Sequence, residues 1–216
     1  MVIVGGGDGT LSGTVAEFVN KDCVFAVLPL GTANSFARTL GLPLALDGAI
    51  DAIASGHRRR IDVGMVGSHY FVNGAAMGLS PMIGDSVPLD LKRYLGRSGY
   101  LLWAIWCFLR FRPFRLIVQD DQGEHRFWSS EVRIFNGTFH GGVELTESTD
   151  VDSGDIVIQA VTGRSLARLA GDWYAKYFNL TSRDANTVEF RGTELLLNTN
   201  PRLRISIDGE ILAEPQ

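Results

Sequence analysis

The chain has 216 residues, 45% of them hydrophobic and 20% charged, with a formal net charge of −4. Such a composition describes one large or two small globular domains and excludes a disordered or fibrous chain. The acidic balance gives no general attraction to nucleic acid, so no nucleic-acid partner is expected. Lys21, Lys92 and Lys176 are the only lysines, and the remaining basic charge is arginine. Cys23 and Cys107 sit in apolar surroundings without metal-ligand spacing. Both read as buried free thiols of a reducing compartment.

Val2-Ile3-Val4 is a short apolar run that reads as a buried strand. It leads into Gly5-Gly6-Gly7-Asp8-Gly9-Thr10, after which apolar positions 11, 15, 18 and 19 predict a helix over 11–19. The glycines thus stand at a strand-to-helix turn. Their missing Cβ atoms let a ligand approach the backbone, and the helix start offers unpaired N–H groups to a phosphate. Asp8 would not hold a phosphate itself, but it suits Mg²⁺ or a helix cap. Val24 to Leu28 reads as a second strand, ended by Pro29. Gly31-Thr32-Ala33-Asn34-Ser35-Phe36-Ala37-Arg38 then repeats the arrangement of glycine and hydroxyl at a strand-to-helix turn. Two such turns on neighbouring strands place two sets of backbone donors on one sheet edge.

GGGDGT followed by LPLGTANSFARTLGLP resembles the catalytic domain of the diacylglycerol kinase family, which includes bacterial lipid kinases and sphingosine kinases. NAD kinases and phosphofructokinases carry a turn like the first motif. The second, PxGTxNxxAR with LGLP after it, is the specific part. Many bacterial members have Asp where this chain has Ser35, and sphingosine kinase-like members also lack it. The acceptor therefore stays open between diacylglycerol-like and sphingosine-like lipids. The resemblance also implies a chain cut at both ends. Family members carry further βα units upstream, with an Asn-Pro-x-x-Gly turn, and continue past residue 216. On that expectation the chain alone is a poor enzyme and marginally stable, with β edges unpaired.

Leu46 to Ala54 has helical apolar spacing with Gly56 as its stop. His57-Arg58-Arg59-Arg60 reads as a solvated charge run at a helix end, or as a phosphate or membrane contact. Composition shifts at Ile61, and the domain boundary is placed near residue 60. Residues 61–66 and 70–74, around Gly67-Ser68-His69, read as a hairpin. Asp62 opens its first strand. The resemblance ties it to catalysis, because the family has an Asp at this place in its vDxG pattern.

Leu89 to Arg97 reads as a mixed polar helix. Tyr100 to Leu109 is the most apolar run, about half of the ~20 residues that span a bilayer. It is a buried helix, a wall of an acyl-chain pocket, or an interfacial element flanked by Arg97, Arg110 and Arg112. Phe114 to Gln119 and Phe127 to Phe135 form another hairpin around Asp120-Asp121-Gln122-Gly123. His140 is read as structural or solvated. Asn136-Gly137, Gly141-Gly142 and Asp152-Ser153-Gly154-Asp155 resemble the family's N…GGG…DDG pattern, whose acidic turn supports a structural Mg²⁺ in bacterial members. Here Ser153 replaces one carboxylate, and an Asp-rich turn before a strand explains the residues equally. Ser165 caps a helix through Phe178. Strands follow over 187–191, 194–198 and 203–208. The last runs into Asp208-Gly209-Glu210, which matches the family's DGE. That resemblance makes Glu210 an acid–base residue at the nucleotide cleft.

The fold expectation is α/β plus β. Residues 1–60 form a partial α/β nucleotide-binding domain, and 61–216 a mostly antiparallel, β-sandwich-like domain carrying the lipid side of the cleft. Phosphoryl transfer from ATP needs held phosphates, a divalent cation and an in-line acceptor hydroxyl. Gly6, Gly7, Gly9, Thr10, Gly31, Thr32 and Asn34 are the candidates for the phosphates. Asp8, Asp62 and Glu210 are the catalytic candidates, with the base open between Asp62 and Glu210. Asp8 and Asp152 are the candidate Mg²⁺ ligands. The expected partners are a lipid substrate, a membrane surface contacted peripherally from the cytoplasm, and a second copy in a homodimer. The alternatives are a NAD kinase-like enzyme and a lipid-binding relative without turnover.

Overall fold

Strand β1 (Val2–Gly6) pairs in parallel with β2 (Phe25–Pro29), from Val2 opposite Phe25 to Gly6 opposite Pro29. The computed structural model describes residues 1–136, 139–140, 143–144, 151–165 and 186–211. Helix α1 (Asp8–Val15) joins the two strands. It starts three residues before the spacing predicts and gives way to turns after Val15, whose carbonyl accepts the Phe18 amide. Only Leu11 and Val15 of the expected apolar face are fully buried. After β2 come α2 (Ser35–Thr39) and α3 (Leu46–Ala54). The latter has the predicted bounds, and Gly56 just beyond it has a φ of +72°, a value natural to glycine.

Leu11, Val15, Val27, Phe36 and Ala37 form an apolar cluster with Val72, and Ile61, Val63 and Tyr70 pack against it. The stretch after residue 60 is therefore shared. Strands β3 (Gly64–Val66) and β4 (His69–Phe71) make the expected hairpin, but Phe71 turns into a different, larger core. Asp62 lies just before β3 rather than within it.

Strand β5 (Gly74–Gly78) is followed by α4 (Leu79–Ser86) and α5 (Leu89–Arg110). Helix α4 tolerates Pro81 because a proline in the first turn removes no intrahelical bond. The two segments expected at 89–97 and 100–109 are one 22-residue helix. Burial of Ala104 and Cys107 on one side outweighs the ~1 kcal/mol that each glycine near residue 97 costs a helix. Among the described residues no helix is long and apolar enough to cross a membrane.

Strands β6 (Phe114–Asp120) and β7 (Gly123–Phe135) form the second predicted hairpin, with the Gln122 and Gly123 amides on Asp120 Oδ1. The short pair β8 (Phe139–His140) and β9 (Val143–Glu144) follows, then β10 (Ile156–Thr162), β11 (Thr187–Gly192) and β12 (Leu196–Asn200). Strands β13 (Ser206–Ile207) and β14 (Glu210–Ile211) close the described chain. One antiparallel sheet runs β11-β10-β7-β5-β13-β14, and the first half of β7 also pairs with β6, which pairs with β12. Its core joins Met77, Leu79, Ile83, Phe114, Leu116, Val132, Ile134 and Ile158 to the inner side of α5. The expected α/β plus β class is what is seen. The strand expected over 203–208 shrinks to β13. The helix expected after Ser165, and Gly137, Gly141 and Gly142, lie outside the described residues. Both cysteines are free thiols, Cys107 buried and Cys23 only half-buried.

Candidate active site

The two glycine turns meet. A Cβ on Gly7 would stand 3.1 Å from the Gly31 Cα, and one on Gly31 would overlap Gly7 outright. The Leu30 amide donates to the Gly6 carbonyl at 3.0 Å, so the turns begin from one strand pair. Gly9, in the first turn of α1, has open space where a Cβ would be. Thr10 and Thr32 are exposed.

Asn34 does not present its amide to this surface. Its backbone is left-handed at φ 48°. Its Oδ1 accepts from the Gly31 amide at 2.9 Å, while its Nδ2 donates to the Gly31 carbonyl at 2.8 Å. Asn34 thus shapes the turn that lets Gly31 reach Gly7. Asp8 has a comparable double duty. Its Oδ2 accepts the Ser35 amide and its Oδ1 the Phe36 amide, each at 3.0 Å, so a residue of the first turn caps the helix after the second.

From Asp8 a polar network runs into the large sheet. Asn73 Nδ2 lies 3.5 Å from Asp8 Oδ1. The Asn73 carbonyl accepts the Asn136 amide, and Asn136 Nδ2 donates to the Asp62 carbonyl at 3.0 Å. The Asn73 amide donates to Asp208, in the turn just before Glu210. Asp8, Asp62 and the DGE turn, far apart in sequence, are therefore joined through Asn73 and Asn136. Asn136 opens the stretch that resembles the family's N…GGG…DDG pattern, whereas Asn73 carries no sequence signal beyond being polar at a strand end. Both are buried, and among the described residues Asn73 Oδ1 has no hydrogen-bond partner.

Asp62 Oδ2 accepts the Gly154 amide at 2.7 Å, and the Asp62 amide donates to the Val151 carbonyl. The same turn carries Asp152. Asp152, the candidate Mg²⁺ ligand, pairs with a guanidinium: Arg59 Nη2 is 2.8 Å from Asp152 Oδ1 and its Nε 3.0 Å from Oδ2. One arginine of the 58–60 run therefore ties the stretch between α3 and β3 to the acidic turn.

Mg²⁺ takes one or two carboxylates and completes its shell with water and phosphate oxygens. Among the described residues no three His, Cys, Asp or Glu side chains gather. Asp8 is the carboxylate nearest the glycine turns, and its two oxygens already accept the Ser35 and Phe36 amides, with Asn73 Nδ2 beside Oδ1.

The family described as Diacylglycerol kinase catalytic domain matches residues 1–66. Over 223 residues the chain is 30% identical to the "Probable lipid kinase YegS" of Salmonella typhimurium, covering 98% of this chain and 72% of that protein. The chain belongs to the diacylglycerol kinase family. It is also 34% identical over 158 residues to the "Probable lipid kinase YegS-like" of Chromohalobacter salexigens, an alignment that spans 71% of this chain and only 51%, about half, of that relative's length. A crystal structure of a diacylglycerol kinase from Bacillus anthracis shares the fold with a TM-score of 0.73 at 24% identity, covering 96% of this chain and 69% of that one. Membership of a lipid kinase family implies a nucleotide phosphoryl donor and, as a rule, a divalent cation.

Proposed function

We propose that this chain carries the core of an ATP-dependent lipid kinase, which moves the γ-phosphoryl group to the hydroxyl of a diacylglycerol- or sphingosine-like lipid. The meeting of Gly7 and Gly31, with Asp8 bridging to the next helix, carries the reading. It makes one surface of two glycine turns, with the open space at Gly9 above it and the hydroxyls of Thr10 and Thr32 exposed at its rim. Backbone amides there would hold the nucleotide's phosphates. Bound with the nucleotide, Mg²⁺ would neutralise charge on the β- and γ-phosphates, and Asp8 would be the carboxylate that holds it. Glu210 takes the acceptor hydroxyl's proton as the new O–P bond forms and the bond to the β-phosphate oxygen breaks, releasing ADP. Asp62 is the weaker candidate for that base, since its Oδ2 is engaged by the Gly154 amide.

The lipid side is read from α5. Leu101, Leu102, Ile105, Trp106 and Leu109 share one helix face and are all exposed, Leu109 at 73%. Arg110 stacks on Trp106 at 4.7 Å, an aromatic and cationic pair suited to a headgroup layer. This face is the proposed peripheral membrane contact. Incubation with γ-labelled ATP, Mg²⁺ and micellar diacylglycerol, sphingosine, ceramide or monoacylglycerol, with NAD⁺ in parallel, tests the activity. Label on a lipid is the expected result; label on NAD⁺ alone, or on nothing, rejects it.

A further inference from the structure

Asp208 accepts four hydrogen bonds. The amides of Asn73 and Gly74 donate to its Oδ1 at 3.0 and 2.9 Å. The Val72 amide and the Ser12 hydroxyl donate to its Oδ2 at 2.9 and 2.6 Å. Its own amide donates to the Gly74 carbonyl at 2.8 Å. Asp208 has φ 46° and Gly209 φ 92°, as a two-residue turn between β13 and β14 requires. The turn alone would be served as well by asparagine, which enters the left-handed region readily. An asparagine side chain has a single acceptor oxygen, however, and four donors converge here. The donors, not the turn, explain the carboxylate.

These donors come from two separate parts of the fold. Val72 to Gly74 lead into β5 of the large sheet, whereas Ser12 is on α1, the helix that opens at the first glycine turn. Glu210 begins β14 two residues beyond Asp208. We propose that Asp208 is a positioning residue: three amides fix it to the sheet, and the Ser12 hydroxyl sets the strand bearing Glu210 in register with the α1 side of the phosphate turns. Its effect on turnover rests on the kinase reading above, while the latch itself is a statement about the fold.

The test compares the full chain with Asp208→Asn, Ser12→Ala and Ser12→Thr by amide hydrogen exchange and by phosphoryl transfer to micellar lipid. Ser12→Ala leaves the 72–74 amides protected, speeds exchange in the 206–211 hairpin, and lowers kcat by roughly ten- to a hundredfold with the nucleotide KM almost unchanged. Ser12→Thr, which keeps the hydroxyl, recovers both. Asp208→Asn adds rapid exchange at 72–74. Unchanged kcat in Ser12→Ala, or a loss that Ser12→Thr does not recover, overturns the positioning role. If the parent chain transfers no phosphate to any lipid, the kinase reading fails on its own. The latch is then decided by exchange, and an unaltered hairpin in Ser12→Ala overturns it. Should Asp208→Asn not fold, the Ser12 pair carries the test unaided.

Discussion

Gly31 rests directly on Gly7, and the turns touch only because both residues lack a side chain. Gly31→Ala forces a methyl group into Gly7 and toward the Asn34 Oδ1 that closes the turn. Overpacking of this kind costs about 1–3 kcal/mol. The expected outcome is a lower melting temperature together with weaker nucleotide binding. Gly9→Ala separates the two effects, because a Cβ there meets nothing in the protein and the residue is helical. Calorimetry should show stability kept or slightly raised, by up to ~1 kcal/mol, and on the proposed reading of the turn as a phosphate site nucleotide affinity should fall.

Asp8→Asn tests whether the first turn serves the fold as well as the ligand. An asparagine retains one acceptor for the two amides of Ser35 and Phe36. Losing a hydrogen bond to a charged group costs about 1.5–3 kcal/mol, less where solvent reaches it. Both stability and turnover should fall, in contrast to a purely metal-binding Asp8, for which the melting curve would not move.

Much of this arrangement is legible in the sequence because it is local. The glycine turns, β1 and β2, α3 with its Gly56 stop and both hairpins follow from spacing within a dozen residues. What escapes is the pairing of polar groups distant in sequence. Nothing near Asp8 says that its carboxylate caps a helix starting at Ser35, nor does Asp208-Gly209 reveal more than a turn. Arg59 is one of three consecutive arginines, and only the folded chain shows that it forks onto Asp152. Helix α5 is read as two segments because its first part is mixed polar and its second strongly apolar, and burial of the face with Ala104 and Cys107 carries one helix across both.

The Arg59–Asp152 pair is about half-exposed on both sides, so its net worth is small despite the forked geometry. Asp152→Ala should cost no more than about 1 kcal/mol. Because Arg59 already engages both Asp152 oxygens, Mg²⁺ is expected to shift the melting temperature of the parent and of Asp152→Ala equally. A Mg²⁺-dependent gain confined to the parent would show that Asp152 binds metal after all.

Leu102→Glu with Leu109→Glu places charge on the exposed face of α5 without touching the core. The melting temperature should stay within ~2 °C, since surface changes are usually neutral. Co-sedimentation with anionic phospholipid vesicles should drop by about tenfold or more. Equal binding of parent and variant would move the membrane contact elsewhere.

The most direct measurement is an amide-resolved NMR titration of the chain with a non-hydrolysable ATP analogue and Mg²⁺. If the paired turns are the phosphate site, the amides of Gly7, Gly9, Thr10, Gly31 and Thr32 shift together and saturate with one affinity. Saturable binding that leaves those amides unmoved, or moves one turn without the other, would contradict it.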